Sequence, residues 1–110
     1  MGDGAPQAPK GNVSESQILA AKEGDWSAKE QLANIFLPLL KSLAEQRAKE
    51  PSKINQFVDA GKEGLFRAAR KYKPSIGADR FQVFALDYIQ AEMDRLAGGG
   101  GGFLSRLFGK

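Results

Sequence analysis

Residues 56–96 read QFVDAGKEGLFRAARKYKPSIGADRFQVFALDYIQAEMDRL and contain two amphipathic helical patterns separated by one short turn. In residues 57–72 the apolar side chains recur at steps of three and four, so they share one face of a helix. Residues 81–96 repeat this spacing, and their apolar stripe carries three aromatic residues against two in the first stripe. The stretch therefore predicts a helical hairpin whose two apolar faces pack together, with Leu65 at the centre of the core.

Two further helices are predicted upstream of the hairpin. Ser14 has Gln17 three residues on, as in a capping box, and this predicts a first helix over residues 14–23. Asp25 is the predicted cap of a second helix, although Ser27 and Glu30 could form a competing capping box just after it. Residues 26–43 are expected to cover the hairpin core. Pro38 interrupts their apolar run IFLPLL and removes a backbone donor, so a kink or a break is expected just before it.

Proline and capping residues also set the predicted ends of the later helices. Pro51 is expected to stop the second helix, and Ser52 is expected to cap a central helix over residues 53–72. Asp79 is the predicted cap of a last helix, which the glycine run from residue 98 ends. No segment alternates apolar and polar residues as a strand does. The predicted fold class is therefore all-α, with four or five helices in one compact domain.

The length of 110 residues suits a single domain, and its predicted extent is residues 14–97. Residues 1–13 are a predicted disordered arm, residues 98–102 a glycine linker, and residues 103–110 a short amphipathic tail. Cysteine and histidine are both absent, which excludes disulfides, thiolate nucleophiles and nearly every zinc site or histidine-based catalytic site. We therefore expect no metal, no cofactor and no small-molecule substrate.

The N-terminal sequence has no apolar run that would make a signal peptide, and no segment reaches the length of about eighteen apolar residues that a membrane span needs. A cytoplasmic location is the expectation. The net charge of +3 is too small to indicate a nucleic-acid partner by itself. The distribution of charge along the helices therefore has to decide that point.

Two segments have an order and spacing of residues that is typical of one protein family. Residues 18–44, ILAAKEGDWSAKEQLANIFLPLLKSLA, combine an alanine-rich stretch, Gly-Asp and a later Leu-Pro-Leu. Residues 64–77, GLFRAARKYKPSIG, are followed by Phe81, Phe84, Ala85, Tyr88 and Ile89. In these features the chain resembles region two of the bacterial RNA polymerase sigma factors, an all-helical domain that holds the polymerase clamp and opens the promoter.

The resemblance implies a transcription protein that binds the RNA polymerase clamp, promoter DNA or both. The family's clamp-binding segment, Asp-Leu-x-Gln-Glu-Gly, matches residues 56–61, where the polar character is partly kept and the acidic pattern is not. The polymerase-binding residues predicted from this match and its continuation are Gln56, Asp59, Lys62 and Phe66.

A basic helix face is the second predicted site. Residues 53–73 hold six basic and two acidic side chains, a balance of +4, and such a face can meet phosphates or an acidic protein surface. A solvated face without a partner is the other interpretation. The predicted DNA contacts are Arg67, Arg70, Lys71, Lys73 and Arg80 for phosphates, with Phe81, Phe84 and Tyr88 for bases.

The last helix departs from the family where DNA would be opened. The family's aromatic wedge falls on Asp87 and Tyr88, and its base-reading polar positions fall on Ala91 and Asp94. Residues 79–95 hold two arginines and four carboxylates, a balance of −2, which is poor for binding a polyanion. No helix-turn-helix follows, so a self-sufficient initiation factor is not expected.

The alternative function is a protein-interaction module that keeps the sigma-like fold without opening promoters. Enzyme activity is not expected, because Asp87 and Asp94 fit solvated or capping roles better than a catalytic pair.

The C-terminal tail is the last candidate site. Its four large apolar residues would share one side of one or two helical turns, and they are Phe103, Leu104, Leu107 and Phe108. A helix this short is unstable alone in water, so we expect it to form only on a further protein partner. An inert tail is the alternative.

Overall fold

Four α-helices make up the part of the chain that the computed structural model describes, which is residues 13–98. They are α1 (Glu15–Lys22), α2 (Trp26–Glu45), α3 (Pro51–Lys71) and α4 (Phe81–Ala97), and a 3₁₀ turn over Ala78–Arg80 leads into α4. No strand occurs within residues 13–98. The predicted all-α class is therefore confirmed, and α3 and α4 form the predicted hairpin. No helix in this range is long and apolar enough to traverse a lipid bilayer.

The starts of α1 and α2 follow the predicted caps. The Ser14 hydroxyl accepts a hydrogen bond from the Gln17 backbone N–H, and the Gln17 side chain accepts one from the Ser14 backbone N–H, both at 3.1 Å. Asp25 Oδ1 accepts from the backbone N–H groups of Ser27 at 2.9 Å and Ala28 at 3.2 Å. Asp25 is thus the cap of α2, and the competing box at Ser27 does not form.

The predicted break at Pro38 is wrong, because α2 runs through it without interruption, and the kink there stays a prediction. Pro38 is exposed, whereas Phe36 and Leu40 on either side of it are fully buried. Burying two such side chains contributes roughly 1.5 to 3 kcal/mol each. That gain is enough to hold the helix together across the missing hydrogen bond, whose cost is about 3 kcal/mol.

The predicted caps of α3 and α4 are also wrong. Pro51 does not stop a helix but begins α3, in the first turn, where its missing N–H has no intrahelical partner to lose. Ser52 therefore lies inside that first turn, and Glu50 is the capping position. Asp79 lies within the 3₁₀ turn, and Arg80 precedes α4 without a side-chain cap. Each predicted cap is displaced by only one or two positions.

Two glycines of α3 set its distance from the neighbouring helices. A Cβ atom at Gly64 would lie 2.3 Å from the Tyr88 carbonyl oxygen and 2.6 Å from Ile89 Cα, so the backbones of α3 and α4 touch here. A Cβ atom at Gly61 would lie 2.8 Å from Leu40 Cδ2 and 2.8 Å from Met93 Cε, which are the ends of side chains. The closest approach of α3 and α4 therefore depends on a glycine.

An aromatic cluster at the centre of the core joins three parts of the chain. Phe36 of α2, Tyr72 after α3 and Phe81 of α4 are fully buried. The Phe81 ring meets Phe36 and Tyr72 edge to face, with centroids 5.9 and 5.7 Å apart. Leu65 is also fully buried, which confirms its predicted place in the core. The prediction that the second helix covers the core from Trp26 onward fails at that residue, because Trp26 is 68% exposed.

Polar contacts tie α1 to the end of α3. Lys22 Nζ donates hydrogen bonds to the backbone oxygens of Tyr72 at 2.7 Å and Arg70 at 3.3 Å. A cation at the carboxyl end of a helix satisfies carbonyls that have no partner in the helix. The Tyr72 hydroxyl donates to Glu15 Oε2 at 3.4 Å. Burial, and next the Glu15 charge, raise the pKa of Tyr72, so its hydroxyl stays protonated at neutral pH.

Candidate functional site

The basic residues predicted for phosphate binding lie mostly around the turn that joins α3 to α4. Arg70, Lys71, Lys73 and Arg80 are all exposed there, at one end of the helical hairpin. Asp79, in the same turn, is also exposed and subtracts one charge. This end of the hairpin presents a local excess of positive charge that phosphate groups would be attracted to.

Arg67, the remaining predicted phosphate contact, is engaged by α4. Its guanidinium lies 3.2 Å from Glu92 Oε2, and Arg95 lies 3.3 Å from the same oxygen. The Glu92 side chain is only 12% exposed, so this carboxylate is held between two arginines. A role for Arg67 in DNA binding would require it to share or leave this ion pair.

The three aromatic residues predicted to meet bases have different surroundings. Phe81 is fully buried in the aromatic core, so the prediction that it contacts DNA is wrong. Phe84 and Tyr88 are half-buried, with ring centroids 5.2 Å apart. Amphipathic spacing alone cannot separate these cases, because all three residues lie within one helix and differ only in which neighbours face them.

The predicted polymerase-binding residues share one side of α3. On a helical wheel with about 100° per residue, Gln56, Asp59, Lys62 and Phe66 fall within one third of the circumference, opposite the buried stripe. Gln56 and Asp59 are exposed, and Lys62 and Phe66 are half-buried. The fold therefore brings these four residues to one accessible face.

A groove with a volume of about 310 Å³ lies beside this face, between the first turns of α2 and the second half of α3. Trp26, Lys29 and Ala33 of α2 line it, opposite Phe66 and Arg70 of α3. Lys29 Nζ lies 4.9 Å from the centroid of the Phe66 ring, which is within the range of a cation–π contact. We call this cavity the α2–α3 groove.

Sequence reasoning missed two residues of the α2–α3 groove, Trp26 and Lys29. Trp26 follows the Asp25 cap directly and lies at the edge of the apolar stripe of α2, which runs through Leu32, Phe36 and Leu40. A large aromatic residue at the edge of a stripe, in the first turn of a helix, is a signal that could have indicated an exposed position. This signal is ambiguous, because the sequence does not show whether a residue of α3 covers Trp26.

A second groove, with a volume of about 510 Å³, lies at the other end of α3. Its lining includes Lys53, Phe57 and Leu96, and the predicted residue Gln56 also reaches it. Arg47 on its edge forms an ion pair with Asp94 of α4. Asp94 is therefore engaged in a structural contact.

Metal-binding geometry is not found among the described residues, since no cluster of three acidic side chains is placed to hold an ion there. The predicted tail residues, Phe103, Leu104, Leu107 and Phe108, lie outside the described residues.

In the comparisons with known proteins, no family model, no curated protein and no solved structure matches this chain.

Proposed function

We propose that this protein is a sigma-factor-like transcription protein that docks on RNA polymerase through the outer face of α3 and binds DNA only weakly. The α2–α3 groove carries the proposal. Lys62 and Phe66, which are predicted to bind the polymerase, line this groove together with the exposed Trp26. Tryptophan and arginine are over-represented among the residues that dominate the binding energy of protein interfaces, and Arg70 lines the same groove.

The outer face of α3 extends the groove along the helix. Gln56 and Asp59 are exposed on the same side of the helix as Lys62 and Phe66. From residue 56 to residue 70 this side extends for about 20 Å, because an α-helix rises 1.5 Å per residue. A rim of polar residues around an aromatic centre is the usual composition of a protein interface.

Binding to a bacterial RNA polymerase core enzyme tests this proposal. Trp26→Ala should weaken the complex at least tenfold, since truncation of a central aromatic residue commonly costs about 2 kcal/mol or more of binding free energy. Val83→Ala is the matched control, because Val83 is 73% exposed on α4, away from the groove. Equal affinities of the two variants, or no binding by the unmodified protein, would contradict the proposal.

Weak DNA binding is proposed for the basic end of the hairpin. Arg70, Lys71, Lys73 and Arg80 are exposed there, but α4 carries more carboxylates than arginines. Reversing Arg70 and Lys73 to glutamate should flatten the dependence of log affinity on log salt by about one to two units, because fewer counterions are released. Strong DNA binding that survives both reversals would show that this surface is not the one involved.

A second candidate function is a protein-interaction module that occupies the polymerase surface without opening promoters. It is favoured by the burial of Phe81, by the ion pair between Arg67 and Glu92, and by the exposed Asp87 at the family's wedge position. Fluorescence of a 2-aminopurine base placed in promoter DNA decides between the two candidates. A rise in fluorescence with polymerase and this protein supports opening, and polymerase binding without a rise supports the module.

A further inference from the structure

We infer that the α2–α3 groove receives an acidic amphipathic helix of a partner protein. The inference rests on the proposed function in one respect, that the partner at this site is a protein. It goes further by stating the secondary structure and the charge of the segment that binds.

The dimensions of the groove suit about two helical turns. Residues 26–34 of α2 and residues 62–70 of α3 form its two walls, and each wall is about 12 Å long at 1.5 Å per residue. Recognition by strand addition needs a sheet edge, and residues 13–98 contain no strand. A helix laid between two helices, with apolar residues at i, i+3, i+4 and i+7, is the mode of recognition that fits.

The apolar lining of the groove is aromatic. Trp26 is 68% exposed and Phe66 is half-buried, and Ala33 lies on the same wall as Trp26. The exposed Trp26 ring offers an apolar surface on which an aliphatic side chain of a partner can pack. Covering Trp26 would remove a large apolar area from water, which is favourable by about 25 cal/mol per Å².

The charges of the groove favour an acidic partner. Its two half-buried charged residues, Lys29 and Lys62, are both cations, whereas its carboxylates, Glu30 and Glu63, are exposed to solvent. None of the ion pairs within the described residues includes either lysine. A ligand that covers these two lysines takes them out of water, and this is costly unless the ligand supplies carboxylates. Arg70 adds a third cation at the exposed edge.

Intrinsic fluorescence offers a direct test, because Trp26 is the only tryptophan in the sequence. The probes are two tryptophan-free, alanine-rich peptides of about fifteen residues, long enough to be partly helical in water. Both carry leucine at i, i+3, i+4 and i+7, and the flanking positions are glutamate in one peptide and lysine in the other. The glutamate peptide should shift Trp26 emission to shorter wavelength, with an affinity at least tenfold higher than that of the lysine peptide.

Charge reversal makes the test specific. Lys29→Glu combined with Lys62→Glu should invert the preference, so that the lysine peptide binds more tightly. Lys53→Glu is the control, because Lys53 is an exposed lysine of the same helix that does not line this groove. Circular dichroism confirms that each variant is folded.

Three outcomes overturn the inference: equal affinity for both peptides, no saturable shift with the glutamate peptide, or an equal effect of Lys53→Glu. The proposed function is decided separately. Polymerase binding that depends on Trp26 but shows no preference for acidic peptides would retain the function and reject the inference. A clear preference for the acidic peptide without polymerase binding would retain the inference and reject the proposed function.

Discussion

The two sides of α3 differ in how closely a neighbouring helix approaches them. Toward α4 the backbones touch at Gly64, where a Cβ atom would lie 2.3 Å from the Tyr88 carbonyl oxygen. Toward the first turns of α2 the helices stay apart, and Phe66 and the exposed Trp26 line a groove of about 310 Å³. One helix thus carries a closed contact on one side and an open surface on the other.

In this protein, the size of the residue at each helix crossing accounts for the difference between the closed and the open side of α3. Gly64 lets the backbones of α3 and α4 meet, whereas the half-buried Phe66 forms part of the wall of the groove toward α2. The closed side therefore accounts for stability, and the open side is the place to seek a partner. Changes on the two sides should have separable effects.

The largest expected effect comes from the closed core. Leu65→Ala should lower the free energy of unfolding by about 2 to 5 kcal/mol, because Leu65 is fully buried and its truncation leaves a cavity. Urea denaturation followed by circular dichroism measures this change. A loss below about 1 kcal/mol is within the range of surface substitutions. Such a result would show that the closed side of α3 is not tightly packed.

A pair of glycine substitutions sharpens the description of the closed side. Gly64→Ala should destabilise the protein by about 1 to 3 kcal/mol, since its methyl group meets the backbone of α4, which cannot move aside without shifting the helix. Gly61→Ala is the matched change. Its methyl group meets side-chain atoms and no backbone: the ends of Leu40 and Met93, with Ile89 Cγ2 in ordinary contact at 3.4 Å. Alanine also favours the helix by roughly 1 kcal/mol. We expect Gly61→Ala to be close to neutral in the same denaturation experiment.

Equal losses for the two glycine variants would contradict this account. They would indicate that side-chain ends in this core are as immobile as backbone. The distance between α3 and α4 would then be fixed by packing on both glycines rather than by Gly64 alone.

The open side should tolerate truncation without loss of stability. Trp26→Ala is expected to change the free energy of unfolding by less than about 0.5 kcal/mol, because surface substitutions away from special features rarely do more and Trp26 is 68% exposed. Thermal or urea denaturation checks this value. A loss of about 2 kcal/mol or more would assign Trp26 to the core, and the groove would lose its main argument as a binding surface.

The smallest expected effect concerns the hydroxyl of Tyr72. Burial and the Glu15 charge raise its pKa in the folded protein, while the unfolded chain loses this proton near the ordinary value of about 10. The unfolded state therefore binds fewer protons above that pH, and stability falls as the pH rises. Tyr72→Phe should reduce this decline. Urea denaturation of both proteins between about pH 9 and pH 11 measures it, and an unchanged decline in the variant would contradict the assignment.

Sequence alone was sufficient for the elements whose causes are local. The apolar periodicity of residues 57–72 and 81–96 predicted the hairpin, and Ser14 and Asp25 were identified as caps because a cap bonds to backbone groups two or three residues away. The predictions at Ser52 and Asp79 failed by one or two positions. Several neighbouring residues there can precede the first turn of a helix, and small differences in packing choose among them.

Which residues of an amphipathic pattern are buried, and which remain accessible, depends on how the helices pack against one another. Phe81 and Trp26 are both aromatic residues at the start of a helix, yet Phe81 is fully buried and Trp26 is 68% exposed. The difference lies in the opposing helices: Phe36 and Tyr72 surround Phe81, whereas Trp26 faces a groove. Periodicity within one segment assigns a side chain to a face, but only the position of the other helices determines whether that face is covered.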